Sequence, residues 1–259
     1  MLHAVGIEVA LAGTPVLKGV DFEARAGEVT VIAGPNGSGK TTLLKAMTGE
    51  VPYSGTVTLD GADVSAMKGW ELAARRGVLP QAGQLSFPFT VLEILRLGLQ
   101  AGRMARRTEL PVAALDRVGL AGFEGRFYHD LSGGERQRVQ LARVLLQVWE
   151  PVADGRPSWL LLDEPVSALD IGHQLEVMEI ARDYARRGGG VVAVMHELNL
   201  TAMYADRLAL LHGGRMARQG HPSEVLTDDL LSRVYGCRVR VNAVPDGPVP
   251  FVLPQAAGI

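Results

Sequence analysis

Gly34-Pro35-Asn36-Gly37-Ser38-Gly39-Lys40-Thr41 fits the pattern G-x-x-x-x-G-K-[ST], and its residue types suit one task, holding a chain of phosphates. Glycines let the backbone wrap closely around an anion, so that successive N–H groups and a following helix N-terminus face the negative charge. Lys40 is placed to reach β- and γ-phosphates and the Thr41 hydroxyl to ligate Mg²⁺, with Thr42 completing the nucleotide-binding set. The plain alternative is a Gly-rich turn that starts a helix. The chain has 31 glycines but only four lysines, so the lysine at this position is the selective part of the match.

Three further groups carry chemistry. Trp159-Leu160-Leu161-Leu162-Asp163-Glu164-Pro165 is an apolar run that ends in two carboxylates. Asp163 can hold Mg²⁺, directly or through water, and Glu164 can orient and polarise an attacking water as general base. Leu131-Ser132-Gly133-Gly134-Glu135-Arg136-Gln137-Arg138 has capping-box spacing between Ser132 and Glu135. Ser132, Gly133 and Gly134 also form an anion nest at a helix start, a second phosphate-facing surface in one chain. His196 closes the apolar run 191–195, and Gln81 stands between Pro80 and Ala82. Taken singly, both read as structural residues.

These groups need a scaffold that brings strand ends together. Residues 29–33 form an apolar strand ahead of the Gly-rich loop, and a helix is expected from 41 to about 48. Residues 6–10, 20–24 and 56–59 read as strands, which makes the first sixty residues β-rich. A loop around 83–88 precedes the capping box of Thr90 and Glu93, and residues 90 to about 148 read as helical with turns near Gly119 and Gly125. Strands at 159–162 and 191–195 flank a helix expected over 171–187, ended by Gly188-Gly189-Gly190. Strands alternating with helices imply an α/β fold with a mostly parallel sheet covered on both faces. Asp163, Glu164 and the phosphate loop then share the carboxyl edge of that sheet.

In this order, phosphate loop, Gln81, residues 131–135, Asp163-Glu164, Ser167-Ala168-Leu169-Asp170 and His196, the chain resembles the ATP-binding cassette family over nearly its whole length. The resemblance implies a P-loop NTPase core, an N-terminal antiparallel β subdomain and an inserted helical subdomain at about 90–148, all within a single nucleotide-binding domain spanning 1–259. It implies ATP and Mg²⁺ as cofactors and a homodimer of ATPase subunits paired head to tail, with Ser132 to Glu135 of one subunit capping ATP held by Lys40 of the other. It further implies a partner permease dimer in the membrane, with the chain at the cytoplasmic face of a bacterial inner membrane. By the same resemblance Gln81 joins Thr41 and Asp163 around the metal, senses nucleotide and meets the permease. Asp170 lies in the loop joining the two sites, and His196 is the γ-phosphate switch that works with Glu164 and Gln81. Two positions depart from the family pattern. Val166 stands where Thr is usual, and the segment Val9-Ala10-Leu11-Ala12-Gly13 lacks the aromatic ring that stacks on adenine.

Within the family, His196-Glu197-Leu198-Asn199-Leu200 with Tyr204-Ala205-Asp206-Arg207 resembles the branch of haem, ferric-siderophore and cobalamin importers. Residues 84–91 and an extra loop at 149–158 resemble its haem-importing members, which implies a periplasmic haem-binding protein as an indirect partner.

Composition sets the boundaries. Among 259 residues, 26 Lys+Arg face 28 Asp+Glu, a net charge of −2 that gives no footprint for nucleic-acid binding. One phosphate loop and only about fifty residues between Gln81 and Ser132 argue against cassette ATPases that act on ribosomes or DNA ends, and the intact Glu164 argues against a purely regulatory module. The N-terminus shows no basic, then apolar, then small-residue pattern of a secretory signal, and no uncharged run reaches a membrane span of about 20 residues. Cys237 is the only cysteine, which fits a reducing compartment. His3, His129, His173, His212 and His221 are scattered without ligand spacing.

Overall fold

In the computed structural model the described residues are 1–81, 88–245 and 250–256. β1 (Leu2–Leu11) and β2 (Thr14–Ala24) form an antiparallel hairpin. β3 (Val29–Ala33) runs through the phosphate loop into α1 (Lys40–Met47), and β4 (Ser54–Leu59) and β5 (Ala62–Asp63) return to make an antiparallel sheet ordered β2-β1-β4-β5. α2 (Gly69–Ala73) precedes β6 (Arg76–Leu79). Next come α3 (Val91–Ala101), α4 (Leu110–Arg117) and α5 (Gly133–Gln147), then the hairpin β7 (Val152–Ala153) and β8 (Arg156–Pro157). β9 (Trp159–Asp163), α6 (Ile171–Arg186), β10 (Gly190–Val194), α7 (Leu198–Tyr204) and β11 (Arg207–His212) alternate regularly. β12 (Arg215–Gly220), α8 (Pro222–Val225) and α9 (Asp228–Tyr235) follow.

The central sheet is ordered β12-β11-β3-β10-β9-β6, with β12 alone antiparallel to its neighbour. β3, β9 and β10 are buried along their whole length, as expected for strands covered on both faces. Side-chain alternation divides them between two cores. Leu160, Leu162, Val191 and Ala193 pack with the helices of 91–147 and with α6, while Trp159, Leu161, Val192 and Val194 pack with α1 and the N-terminal sheet.

Both capping boxes form. Thr90 Oγ1 accepts from the Glu93 N–H at 3.3 Å while Glu93 Oε2 accepts from the Thr90 N–H at 2.7 Å. The Ser132–Glu135 box has the same form at 3.2 and 2.7 Å, and its Ser132 hydrogen bonds hold the Glu135 carboxyl below the usual range. Between 90 and 148 the named elements are helical, as expected.

Several elements exceed the sequence reading. β1 and β2 are longer than residues 6–10 and 20–24, because a left-handed Gly6 and register shifts between Ala4 and Ile7 break the alternation without ending the strand. β6, at the edge of the sheet, carries a buried Arg76, a residue type that argues against a buried strand. Its guanidinium is satisfied, donating to the carbonyls of Met47 at 3.0 Å and Thr48 at 2.5 Å and so capping the end of α1. The extra loop at 149–158 contains the β7–β8 hairpin, turned through Asp154 (φ 52°) and Gly155 (φ 70°). The expected loop at 83–88 lies, except for Pro88, outside the described residues.

Helices α3 and α5 meet so closely at Gly98 that a Cβ there would stand 2.2 Å from the Arg143 carbonyl oxygen. Backbone cannot yield as a flexible side chain can, so Gly98→Ala must push the two helices apart. Overpacking of this kind costs about 1–3 kcal/mol, and in a chain of this size that should lower Tm by several degrees. Differential scanning calorimetry of the variant checks this, and an unchanged Tm would contradict the close approach.

Candidate active site

The parallel strands β3, β9 and β10 end side by side. Val194 pairs with Asp163 on one side and Ile32 on the other, so each strand delivers its next residues to the same edge. Beyond β3 comes the phosphate loop. Gly34 has φ 145°, and a Cβ there would lie 2.2 Å from the Leu211 carbonyl, so the loop can follow this path only with glycine. Lys40 opens α1, is 5% exposed, and donates from Nζ to the carbonyls of Gly34 at 2.8 Å and Pro35 at 3.0 Å. Burial pushes its pKa down, against the opposing pull of Glu164 and Asp163.

Beyond β9 stand the two carboxylates. Thr41 Oγ1 donates to Asp163 Oδ1 at 3.1 Å, which joins the loop to β9. Burial raises the Asp163 pKa, and the Thr41 hydrogen bond works the other way. Glu164 has a left-handed backbone (φ 51°), unusual for a residue with a side chain, and its N–H donates to the Val194 carbonyl at 3.1 Å. Beyond β10, His196 Nε2 lies 2.7 Å from Glu164 Oε1.

These residues border one open cleft of about 780 Å³, lined by the loop residues Asn36, Gly37, Gly39, Lys40, Thr41 and Thr42 and by Val16, Gln81, Glu164, His196 and Glu197. Its donors fit a polyphosphate with a divalent cation. Ser38 Oγ is buried within the loop without a hydrogen-bond partner, a hydroxyl that an acceptor oxygen would satisfy. Thr41 and Asp163 already touch and are the pair that could share a cation. Among the described residues no group of three His, Cys, Asp or Glu could hold a metal alone. Mg²⁺ at such a pair would draw its other ligands from phosphate and water, as it commonly does.

The structure brings together Lys40, Thr41, Gln81, Asp163, Glu164 and His196 and leaves Ser132, Gly133, Gly134 and Glu135 out of the cleft lining. The latter four sit at the start of α5, against the loop of Ala168 and Leu169. Asp170 caps α6, its Oδ1 accepting from the His173 N–H at 3.0 Å. Val166 is buried in the apolar core, where a valine needs no partner for a hydroxyl.

Three neighbours escaped sequence reasoning. Val16 lines the cleft, whereas in the segment 9–13 Val9 is buried in the core and Leu11 is exposed outside the lining. Glu197 borders the cleft beside His196. Gln137 reaches the Glu164 carbonyl from α5 at 2.7 Å, and only its place in the 131–138 segment hinted at a role.

Comparison with known proteins agrees with this geometry. A family model described as "ABC transporter" matches residues 17–167. The Hemin import ATP-binding protein HmuV of Jannaschia sp. (strain CCS1) is 65% identical over 99% of this chain and 95% of its own length. The protein of the same name from Roseobacter denitrificans is 61% identical over 99% and 98%. Among solved structures, the ATP-binding subunit of an ABC transporter aligns with TM-score 0.76 at 23% identity, covering 92% of this chain and 94% of that one. The cbiO1 chain of Clostridium perfringens, part of the ABC transporter complex cbiONQ, gives 0.72 at 27% identity over 90% and 92%. A phosphate loop, a paired carboxylate and a strand-end histidine on one sheet edge, in a chain that matches the family model over more than half its length, leave one assignment: this chain belongs to the ABC transporter family.

Proposed function

We propose that this chain is the ATP-hydrolysing subunit of an importer that carries haem, acting as a pair of identical subunits at the inner face of a membrane and driving a permease dimer. The observation that carries the reading is the convergence of Lys40, Thr41, Asp163, Glu164 and His196 on one cleft. The haem assignment draws on the relatives named for hemin import and on the 84–91 and 149–158 segments, of which residues 84–87 lie outside the described structure. A periplasmic haem-binding protein would supply the permease. Among the described residues no helix is long and apolar enough to cross a membrane, so the spanning part falls to the permease.

In this mechanism the backbone of residues 34–39 and the Lys40 ammonium bind the β- and γ-phosphates, Lys40 exchanging its two carbonyl partners for phosphate oxygens. Thr41 and Asp163, with Gln81 at the cleft rim, would hold Mg²⁺, which supplies charge neutralisation on the phosphates. Glu164 takes the proton of the attacking water, and His196, 2.7 Å away, orients that carboxylate and meets the γ-phosphate. Ser132 to Glu135 lie outside this cleft's lining and serve the nucleotide of the partner subunit, where the Ser132 hydroxyl and the first N–H groups of α5 donate to phosphate oxygens.

Lys40→Ala should weaken binding of a fluorescent ATP analogue more than tenfold, whereas Glu164→Gln should bind within threefold of wild type and lose at least a hundredfold in phosphate release, the scale of general-base catalysis. Equal loss of binding in both variants would remove Glu164 from the role of base.

Pairing Lys40→Ala with Ser132→Arg subunits leaves one complete site per mixed dimer, since each site takes Lys40 from one subunit and Ser132 from the other. Turnover per dimer should be at most about half of wild type. A mixed dimer as active as wild type would exclude composite sites.

With its permease in liposomes, the chain should hydrolyse ATP faster when the permease receives haem-loaded binding protein than when it receives the unloaded form. Stimulation by a ferric-siderophore or cobalamin carrier in place of haem would redirect the substrate assignment.

A further inference from the structure

The loop from Glu164 to Asp170, between β9 and α6, is held by two glutamines from different helices. Gln137, five residues along from Ser132 on α5, donates from Nε2 to the Glu164 carbonyl at 2.7 Å, and its Oε1 accepts from the Ala168 N–H at 3.2 Å. Gln174, on α6, donates from Nε2 to the carbonyls of Val166 at 3.3 Å and Leu169 at 3.1 Å. Both ends of one Gln137 amide are therefore spent on the loop, and one of them on the residue assigned as base.

That residue needs external support. Glu164 has φ 51°, a backbone state that persists for a residue with a side chain only when its surroundings impose it. β10 fixes its N–H through the Val194 carbonyl at 3.1 Å, and His196 meets its carboxylate at 2.7 Å. The carbonyl is fixed from α5 by Gln137, with the Ser167 hydroxyl adding a bond at 3.2 Å. The first turn of α5 also lies flush on the same loop: a Cβ at Gly134 would stand 3.1 Å from both the Ala168 carbonyl and Leu169 Cδ2.

We propose that Gln137 is a positioning residue for hydrolysis, tying the backbone of Glu164 to the helix that presents Ser132 to Glu135. The proposal rests on the reading of Glu164 as general base and of Ser132 to Glu135 as the surface that closes on the partner's nucleotide. Under it, the phosphate-facing start of α5 and the base of the same subunit form one mechanical piece. Seating α5 on the partner's nucleotide holds Glu164 in its catalytic position at the subunit's own nucleotide, and a displaced α5 releases it. Gln174 grips the same loop but touches neither Glu164 nor α5, so it provides the matching control.

The test compares wild type, Gln137→Leu, Gln174→Leu and Glu164→Gln as full-length chains with MgATP. Gln137→Leu should lose tenfold or more in kcat while KM, the affinity for a fluorescent ATP analogue and Tm stay close to wild type. Gln174→Leu, which removes two hydrogen bonds from the same loop, should keep kcat within threefold. A kcat loss below tenfold in Gln137→Leu overturns the proposal, and so does an equal loss in Gln174→Leu, which would mean general loosening of the loop. If Gln137→Leu fails to fold, Gln137→Glu is read by the same criteria, since it keeps an acceptor for the Ala168 N–H and loses the donor to Glu164. Wild-type turnover by Glu164→Gln would overturn the base assignment itself, whereas an inactive Glu164→Gln beside an active Gln137→Leu overturns the positioning role alone.

Discussion

The in-register parallel pairing of β3, β10 and β9 is the constraint on which the candidate site depends. Because Val194 pairs with both Ile32 and Asp163, the chain leaves three neighbouring strands at nearly one level. Strands about 4.8 Å apart then set the phosphate loop, Glu164 and His196 within reach of short hydrogen bonds. A slip of one residue in β9 would send Asp163 to the opposite face of the sheet and separate it from Thr41. The fully buried apolar runs of these strands fix the register, since each face has its own core to fill.

Legibility in the sequence followed from how local each signal was. The phosphate loop, the two capping boxes and the apolar inner strands are decided within a few residues, and the structure places them where those residues imply. β6 was hidden because its arginine is satisfied by carbonyls of α1 nearly thirty residues away, a compensation that no local window contains. The β7–β8 and β11–β12 hairpins are different. Their turns, Asp154-Gly155 and Gly213-Gly214, both with positive φ, are readable hairpin signals, beside strands that are very short (β7 and β8) or polar (β12). Gln137 is the hardest case, since an exposed-looking glutamine on a helix gains meaning only from the backbone atoms it reaches.

The charged groups of the site are also held against the cost of burial. Burial lowers the pKa of Lys40 and raises that of Asp163, so the surroundings disfavour the charged form of both groups that must act charged. Lys40 hydrogen-bonds to two backbone carbonyls, with the Glu164 and Asp163 carboxylates pulling against burial, and Asp163 hydrogen-bonds to the Thr41 hydroxyl. Phosphate beside Lys40 and a cation beside Asp163 would each add opposite charge, in a setting where such contacts are stronger than in water. Groups held this way favour the loaded state over the empty one, which is what a nucleotide-driven switch requires.

The cleft lining combines the polar phosphate loop with an aliphatic residue. At the phosphate loop every donor comes from backbone or from side chains anchored by the sheet, and glycine at Gly34 is enforced by the Leu211 carbonyl. Beside the loop glycine Gly39 the lining also includes Val16, an aliphatic side chain without a flat face or a hydrogen-bonding group. Stacking on an aromatic ring contributes about 1–3 kcal/mol per base where such rings exist, and apolar contact with a valine also lacks the directional contacts that distinguish one purine from another. Under the proposed function, recognition would then be weighted towards the triphosphate. In the proposed cycle the chemical difference between the nucleotide before and after hydrolysis lies at the γ-phosphate, the group that Lys40, Glu164, His196 and the partner's Ser132-bearing helix would contact.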